Sequence, residues 1–238
     1  CHTMNMPYMA LKLGAPTSVV AELTTPPAHP EAAPNGCRVT YQFPARENLP
    51  ACTLYWYERR KPQREKFLDA LGPNQDPPGS GVLMAGSRGT LYNTSDYGDN
   101  RRLLPAANFA NYQPPEPTLP RSPGHHAEWL RACKGGPPAM SNFPDYAGPL
   151  TEMVLLGNVA MRVGQRIEWD SANLRVTNTT AAAQYIKREY RRGWELAEER
   201  LPRVVRAQAP NGTPGMTTEP ETRPARFPLL RRLLRRGG

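Results

Sequence analysis

The hydrophobic and polar positions of this chain are most regular between Asn142 and Asp170. Leu150, Met153, Val154, Gly157, Ala160 and Met161 recur at helical spacing on one face. Leu155, Leu156, Val159 and Val163 make much of the other face apolar too, leaving Glu152, Asn158 and Arg162 as a thin polar stripe. Pro149 just inside the start and Gly164 just past the end bracket a helix of about four turns. A helix apolar nearly all round is expected to be buried, here against a sheet. Gly157 costs such a helix about 1 kcal/mol against Ala, so it is read as permitting a close approach.

The pattern on either side predicts shorter elements. His2 to Leu13 reads as a helix with Met4, Tyr8 and Leu11 on one side, its regular part beginning near Pro7. Thr17 to Leu23, Arg38 to Phe43 and Cys52 to Tyr57 have the β-branched or alternating character of strands. Arg59 to Lys66 is a charged loop, and Gly72 to Gly81 is rich in breakers. Gly81 to Asn93 predicts a hairpin turning at Ser87-Arg88-Gly89. Gly98 to Gly124, rich in Asn and Pro, is expected to wrap the surface, and His125 to Lys134 to form a short helix stopped by Gly135-Gly136-Pro137. Gln165 to Trp169 and Leu174 to Thr177 read as two short strands or a strand and a turn, and Glu168 and Asp170, with Trp169 between them, share one face. A helix from about Ala181 to Gly193 follows, with Asn178 or Thr180 as its cap. Strands and helices without regular βαβ alternation predict an α+β domain: an open, largely antiparallel sheet with helices packed on one face.

Composition changes the picture mainly at the C-terminus. The net charge of +9 would suggest nucleic acid, but it is unevenly distributed. Residues 200–238 hold nine arginines against Glu219 and Glu221, so +7 of the +9 lies there and residues 1–199 are nearly neutral. A basic nucleic-acid groove is therefore not expected on the folded part. Residues 1–202 are read as the domain and 203–238 as a disordered basic tail, since Gln208 to Pro224 lacks core formers. Within that tail, Phe227 to Arg236 could touch an anionic membrane or an acidic partner through a basic amphipathic turn. Cys1, Cys37, Cys52 and Cys133 show no C-x-x-C pairing and no histidine at ligand spacing, so no metal site is expected. No G-x-G-x-x-G follows a strand, and a phosphate cradle at Gly86 and Gly89 is disfavoured.

Four blocks together carry a resemblance. They are C-H-T-M-N-M-P at residue 1, H-H-A-E-W-L-R-A-C-K-G-G from His125, S-N-F-P-D-Y-A-G-P-L-T-E with the following helix and R-I-E-W-D, and Y-I-K-R-E-Y-R-R-G-W-E-L from Tyr185. In combination they resemble the C-terminal half of bacterial Gfo/Idh/MocA oxidoreductases, over about residues 1–197. The resemblance implies an open sheet whose free face serves homo-oligomer contacts, and a substrate that is a sugar or polyol. It implies NAD or NADP as cofactor, bound mainly by an N-terminal dinucleotide-binding domain. The chain is accordingly expected to be a fragment, and the compartment is cytoplasmic or, if exported like many relatives, periplasmic.

The resemblance also implies roles. His2 matches the end of an Asp-x-x-x-His pattern and is the expected general acid or base on a substrate hydroxyl, a task suited to an imidazole near neutrality. From their place in the chain, His125 and His126 at a helix start are expected to hydrogen-bond a sugar-like hydroxyl or the cofactor, and Tyr146, just before the central helix, to bind substrate. For the two histidines, the plainer reading is a helix N-terminus with Glu128 set against the dipole. Asn5 stands where relatives often have Asp, and Pro144 interrupts the expected S-N-F-D-Y order. Two other functions fit the same residues: an NAD-dependent glycosidase of the same family, and a non-catalytic interaction module using the basic tail.

Overall fold

The first helix, α1 (His2–Ala10), begins directly after Cys1 and carries Pro7 in its interior. The start expected near Pro7 is therefore corrected to His2. Proline removes one backbone donor there, and the helix persists because Met4, Pro7 and Tyr8 are buried beneath it. The computed structural model describes residues 1–29, 31–59, 71 and 79–194. The charged loop expected at 59–66, most of the breaker-rich loop at 72–81 and the tail at 203–238 fall largely or wholly outside the described residues.

After a turn at Leu11–Gly14 come β1 (Ser18–Leu23), β2 (Cys37–Phe43) and β3 (Cys52–Glu58). β2 shows strict alternation: Cys37, Val39, Tyr41 and Phe43 are buried, while the residues between them face outward. Its register sets Val19 opposite Tyr41 and Leu54 opposite the same tyrosine, so three strands offer one apolar face. The hairpin β4 (Val82–Gly86) and β5 (Gly89–Asn93) follows, with Gly86 opposite Gly89 as expected from the glycine-bearing turn.

The stretch expected to wrap the surface contains a strand, β6 (Arg101–Leu104), which pairs with β5 and sets Leu103 opposite Leu91. Two arginines followed by two leucines have no period of two, so the strand depends on its partner. A 3-10 turn over Ala106–Phe109 closes that sheet. Next come α2 (His125–Cys133), a π-helical turn at Phe143–Ala147, and α3 (Gly148–Val163). Gly164 ends α3 in the left-handed conformation, φ 72°. The chain then forms β7 (Ile167–Asp170), β8 (Arg175–Val176) and α4 (Ala183–Ile186).

The fold is α+β. A five-stranded sheet runs in the order β3-β2-β1-β7-β8 and a three-stranded one in the order β4-β5-β6. Every strand pairing among the described residues is antiparallel. α3 packs on the apolar face of the larger sheet, and α1 lies against α3 and β4 in the same core, which contains Met4, Tyr8, Val19, Tyr41, Met153 and Ile167. Gly157 lies over Tyr41 so closely that an added Cβ would fall under 3.0 Å from the phenol oxygen. The close approach read from the sequence is present.

Two expectations are corrected here. α3 is covered on one broad side only, and Leu155 is 52% exposed, because a single sheet layer lies against it. α4 is one turn, not the thirteen-residue helix expected from Ala181 to Gly193. Asn178 does not cap it: its side-chain oxygen accepts the Glu168 amide at 2.9 Å and its NH2 donates to the Arg166 carbonyl at 2.8 Å. The charged run Lys187 to Arg192 has no apolar stripe to pack, and short helices depend on packing.

The chain divides into two units, Cys1–Glu189 and Tyr190–Gly238. Of the second, the structure describes Tyr190 to Trp194, where the Arg191 guanidinium lies 4.9 Å from the Trp194 ring centroid. Among the described residues no helix is long and apolar enough to cross a membrane.

Candidate functional site

His2 opens α1 and is exposed. Its Nδ1 lies 3.8 Å from the Cys1 Sγ, and its ring meets Tyr97 edge-on, with centroids 5.5 Å apart and planes at 75°. The cleft beside it, about 1530 Å³, is lined by His2 and Met4 of α1, Trp56 of β3, Leu83 of β4, Leu91 of β5 and Asp96, among others.

Tyr97 is carried by a loop that the sequence pattern does not single out. Asn93 ends β5 with 0% exposure. Its side-chain oxygen accepts the Asn100 amide at 3.2 Å, and its NH2 donates to the Ser95 carbonyl. Asn100 in turn donates to the Thr94 hydroxyl at 2.9 Å, and the Ser95 hydroxyl donates to Asp99. That last bond is the first cause holding the Asp99 carboxyl below its usual range. The run N-T-S-D-Y-G-D-N was the available signal, since Asn, Asp and Ser bond their own backbone in turns. Gly98 brings this loop against α1, because a Cβ there would lie 3.0 Å from the Met6 methyl. The result is a preorganised loop presenting a tyrosine that is 81% exposed.

Tyr146 also reaches α1. It lies in the π-helical turn, whose Asn142 caps it by accepting the Asp145 amide at 2.9 Å. The Tyr146 hydroxyl donates to Asn5 Oδ1 at 2.5 Å, and its ring stands edge-on to Tyr8 at 5.5 Å. Burial pushes its phenol pKa up.

His125 and His126 are held at the exposed start of α2, their ring centroids 4.2 Å apart. Neither is among the residues lining the cleft at His2. Glu128 is buried and does more than face the helix dipole. It accepts the Met140 amide at 3.1 Å, and its carboxyl is held below the usual range first by the Ser122 hydroxyl, then by that amide. Thus the structure brings Tyr146 to the helix of His2, while His125 and His126 stand in a separate, exposed element.

Glu168 and Asp170 do not form a carboxylate pair. Glu168 meets Arg166 at 2.6 Å and Asp170 meets Arg175 at 3.0 Å. All four cysteines are free. Among the described residues no group of three or more His, Cys, Asp or Glu side chains is gathered as metal ligands would be.

A phosphate does not fit at Gly89 of the β4–β5 hairpin. A Cβ on Gly89 would meet the Phe109 ring at 2.5 Å and the Leu104 carbonyl at 2.8 Å, so that glycine makes room for protein and offers no phosphate cradle. No protein-family model and no curated protein matches the chain.

Proposed function

We propose that the chain is the substrate-binding and oligomerisation part of a Gfo/Idh/MocA-type oxidoreductase acting on a sugar or polyol hydroxyl with NAD or NADP. The reading rests on the four sequence blocks. The observation that carries it furthest is His2: an exposed imidazole in the first turn of α1, at a cleft large enough for a small polar substrate. An imidazole there can take or give a proton at a substrate hydroxyl near neutral pH. The open antiparallel sheet with helices on one face agrees with the architecture that the resemblance implies. This reading assigns cofactor binding to a separate dinucleotide-binding domain of the intact protein.

The decisive test is the coding DNA upstream of the Cys1 codon. An in-frame βαβ segment with G-x-G-x-x-G is expected; a stop codon followed by a genuine start at this chain would overturn the assignment. In the intact protein, His2→Gln is expected to lower turnover by about 10²-fold or more. Unchanged turnover in that variant would remove His2 from the chemistry.

A further inference from the structure

The first turn of α1 is locally weak. It has no side-chain cap and no acidic residue to complement the helix dipole. Pro7 has no N–H, so the Thr3 carbonyl lacks its helical donor. Local bonding such as the Asn5 amide to the Cys1 carbonyl, at 3.0 Å, is too little to fix a helix end. Its position therefore depends on contacts from elsewhere in the chain.

Burial of Met4 is one; Tyr146 supplies another in the first turn and touches the helix again at Tyr8. Its hydroxyl bonds to Asn5 and its ring meets Tyr8, residues three apart and so on one strip of the helix. His2 is a further three residues back on that strip. Rotating or lifting the first turn to move His2 would break the Asn5 bond. The hydroxyl expected to contact substrate is donated to the helix, across 141 residues of sequence.

We infer that Tyr146 is a positioning residue, acting through Asn5 to hold His2 against Tyr97 at the cleft. This rests on the proposed role of His2 for its functional meaning, but not for its test.

The test is NMR on the full chain with labelled histidine, comparing wild type with Tyr146→Phe, Asn5→Ala, the double variant and Asn5→Asp. In the wild type, the His2 ring proton resonances should be displaced by the Tyr97 ring current. Tyr146→Phe and Asn5→Ala should each move them towards their unfolded positions and speed hydrogen exchange of the backbone amide of residue 5 about fivefold. The double variant should do no more than either single one, because both remove the same bond. Asn5→Asp keeps an acceptor for the phenol and should retain the wild-type resonances. If Tyr146→Phe lowers the melting temperature while the His2 resonances stay put, the tyrosine is merely structural and the inference falls. If the His2 resonances follow this pattern but His2→Gln leaves turnover of the intact protein unchanged, the coupling stands and the proposed function falls.

Discussion

Replacing Gly157 by Ala pits helix propensity against packing. In an ordinary helix interior the change stabilises by about 1 kcal/mol. Here the new methyl would lie under 3.0 Å from the Tyr41 phenol oxygen, with the Tyr41 Cζ and a Val39 methyl each at 3.5 Å. The latter two are ordinary contacts, so the phenol oxygen alone is the obstacle. It cannot swing aside: Tyr41 is 1% exposed and its ring is stacked on Phe43, centroids 6.5 Å apart at 22°. Overpacking of this kind costs about 1–3 kcal/mol, and the rigid ring places the cost at the upper end. The net expectation is a loss of about 1–2 kcal/mol after the propensity gain. For a domain of this size that is a melting temperature lower by about 3–6 °C. Removing the obstacle should reverse the sign. In a Tyr41→Phe background the same Gly157→Ala change is expected to stabilise by about 0.5–1 kcal/mol. Urea denaturation of the four proteins, followed by far-ultraviolet circular dichroism, closes the cycle. Equal destabilisation in both backgrounds, or a gain in the wild type, would refute the argument that Tyr41 requires the glycine.

Glu128 should make the α2 region acid-sensitive. Its folded pKa lies below the ordinary 4.5, so its contribution is present above that value and lost as pH falls through the lower folded one. The Met140 amide shift should titrate with a midpoint below 4.5 in the wild type and be flat in Glu128→Gln; a wild-type midpoint at or above 4.5 would contradict the geometry. Asn178→Ala should remove two bonds that clip β7, costing about 1 kcal/mol at this exposed site, with hydrogen exchange at the Glu168 amide rising first.

Elements with a local signal were legible in the sequence. β2 announces itself by strict alternation, α3 by Pro149 and Gly164, and the β4–β5 hairpin by its glycines. Even the close approach at Gly157 followed from the cost of glycine in a helix. What failed was decided by partners outside the element's own stretch of chain. β6 is a strand because β5 offers it an edge, and Asn178 is spent on β7 before it can cap a helix. Leu155 looks like a core residue until the number of layers is known. The candidate site divides in the same way. His2 could be singled out from its block, but the contact of Tyr146 with Asn5 spans nearly the whole domain. Tyr97 and the buried Asn93 were hidden because a polar run reads as a loop, whatever that loop holds.

The far end of α1 is anchored quite differently from the end that bears His2. The Arg46 guanidinium donates to the Leu11 and Lys12 carbonyls at 2.8 and 3.0 Å, and to those of Pro44 and Pro50 at 3.1 and 2.9 Å. A charged fan of bonds therefore pins the helix at its C-terminal side, where a cation also suits the dipole. The helix is a lever with a charged fulcrum at one end and, at the other, a tip seated by Met4 and by the Tyr146–Asn5 bond. At 1.5 Å per residue, α1 is about 14 Å long, so a tilt of about 5° at Arg46 carries His2 through about 1 Å. A substitution in the loop from Pro44 to Pro50 would better be judged at the tip than at the fulcrum, since the fold magnifies there what it barely registers at Arg46.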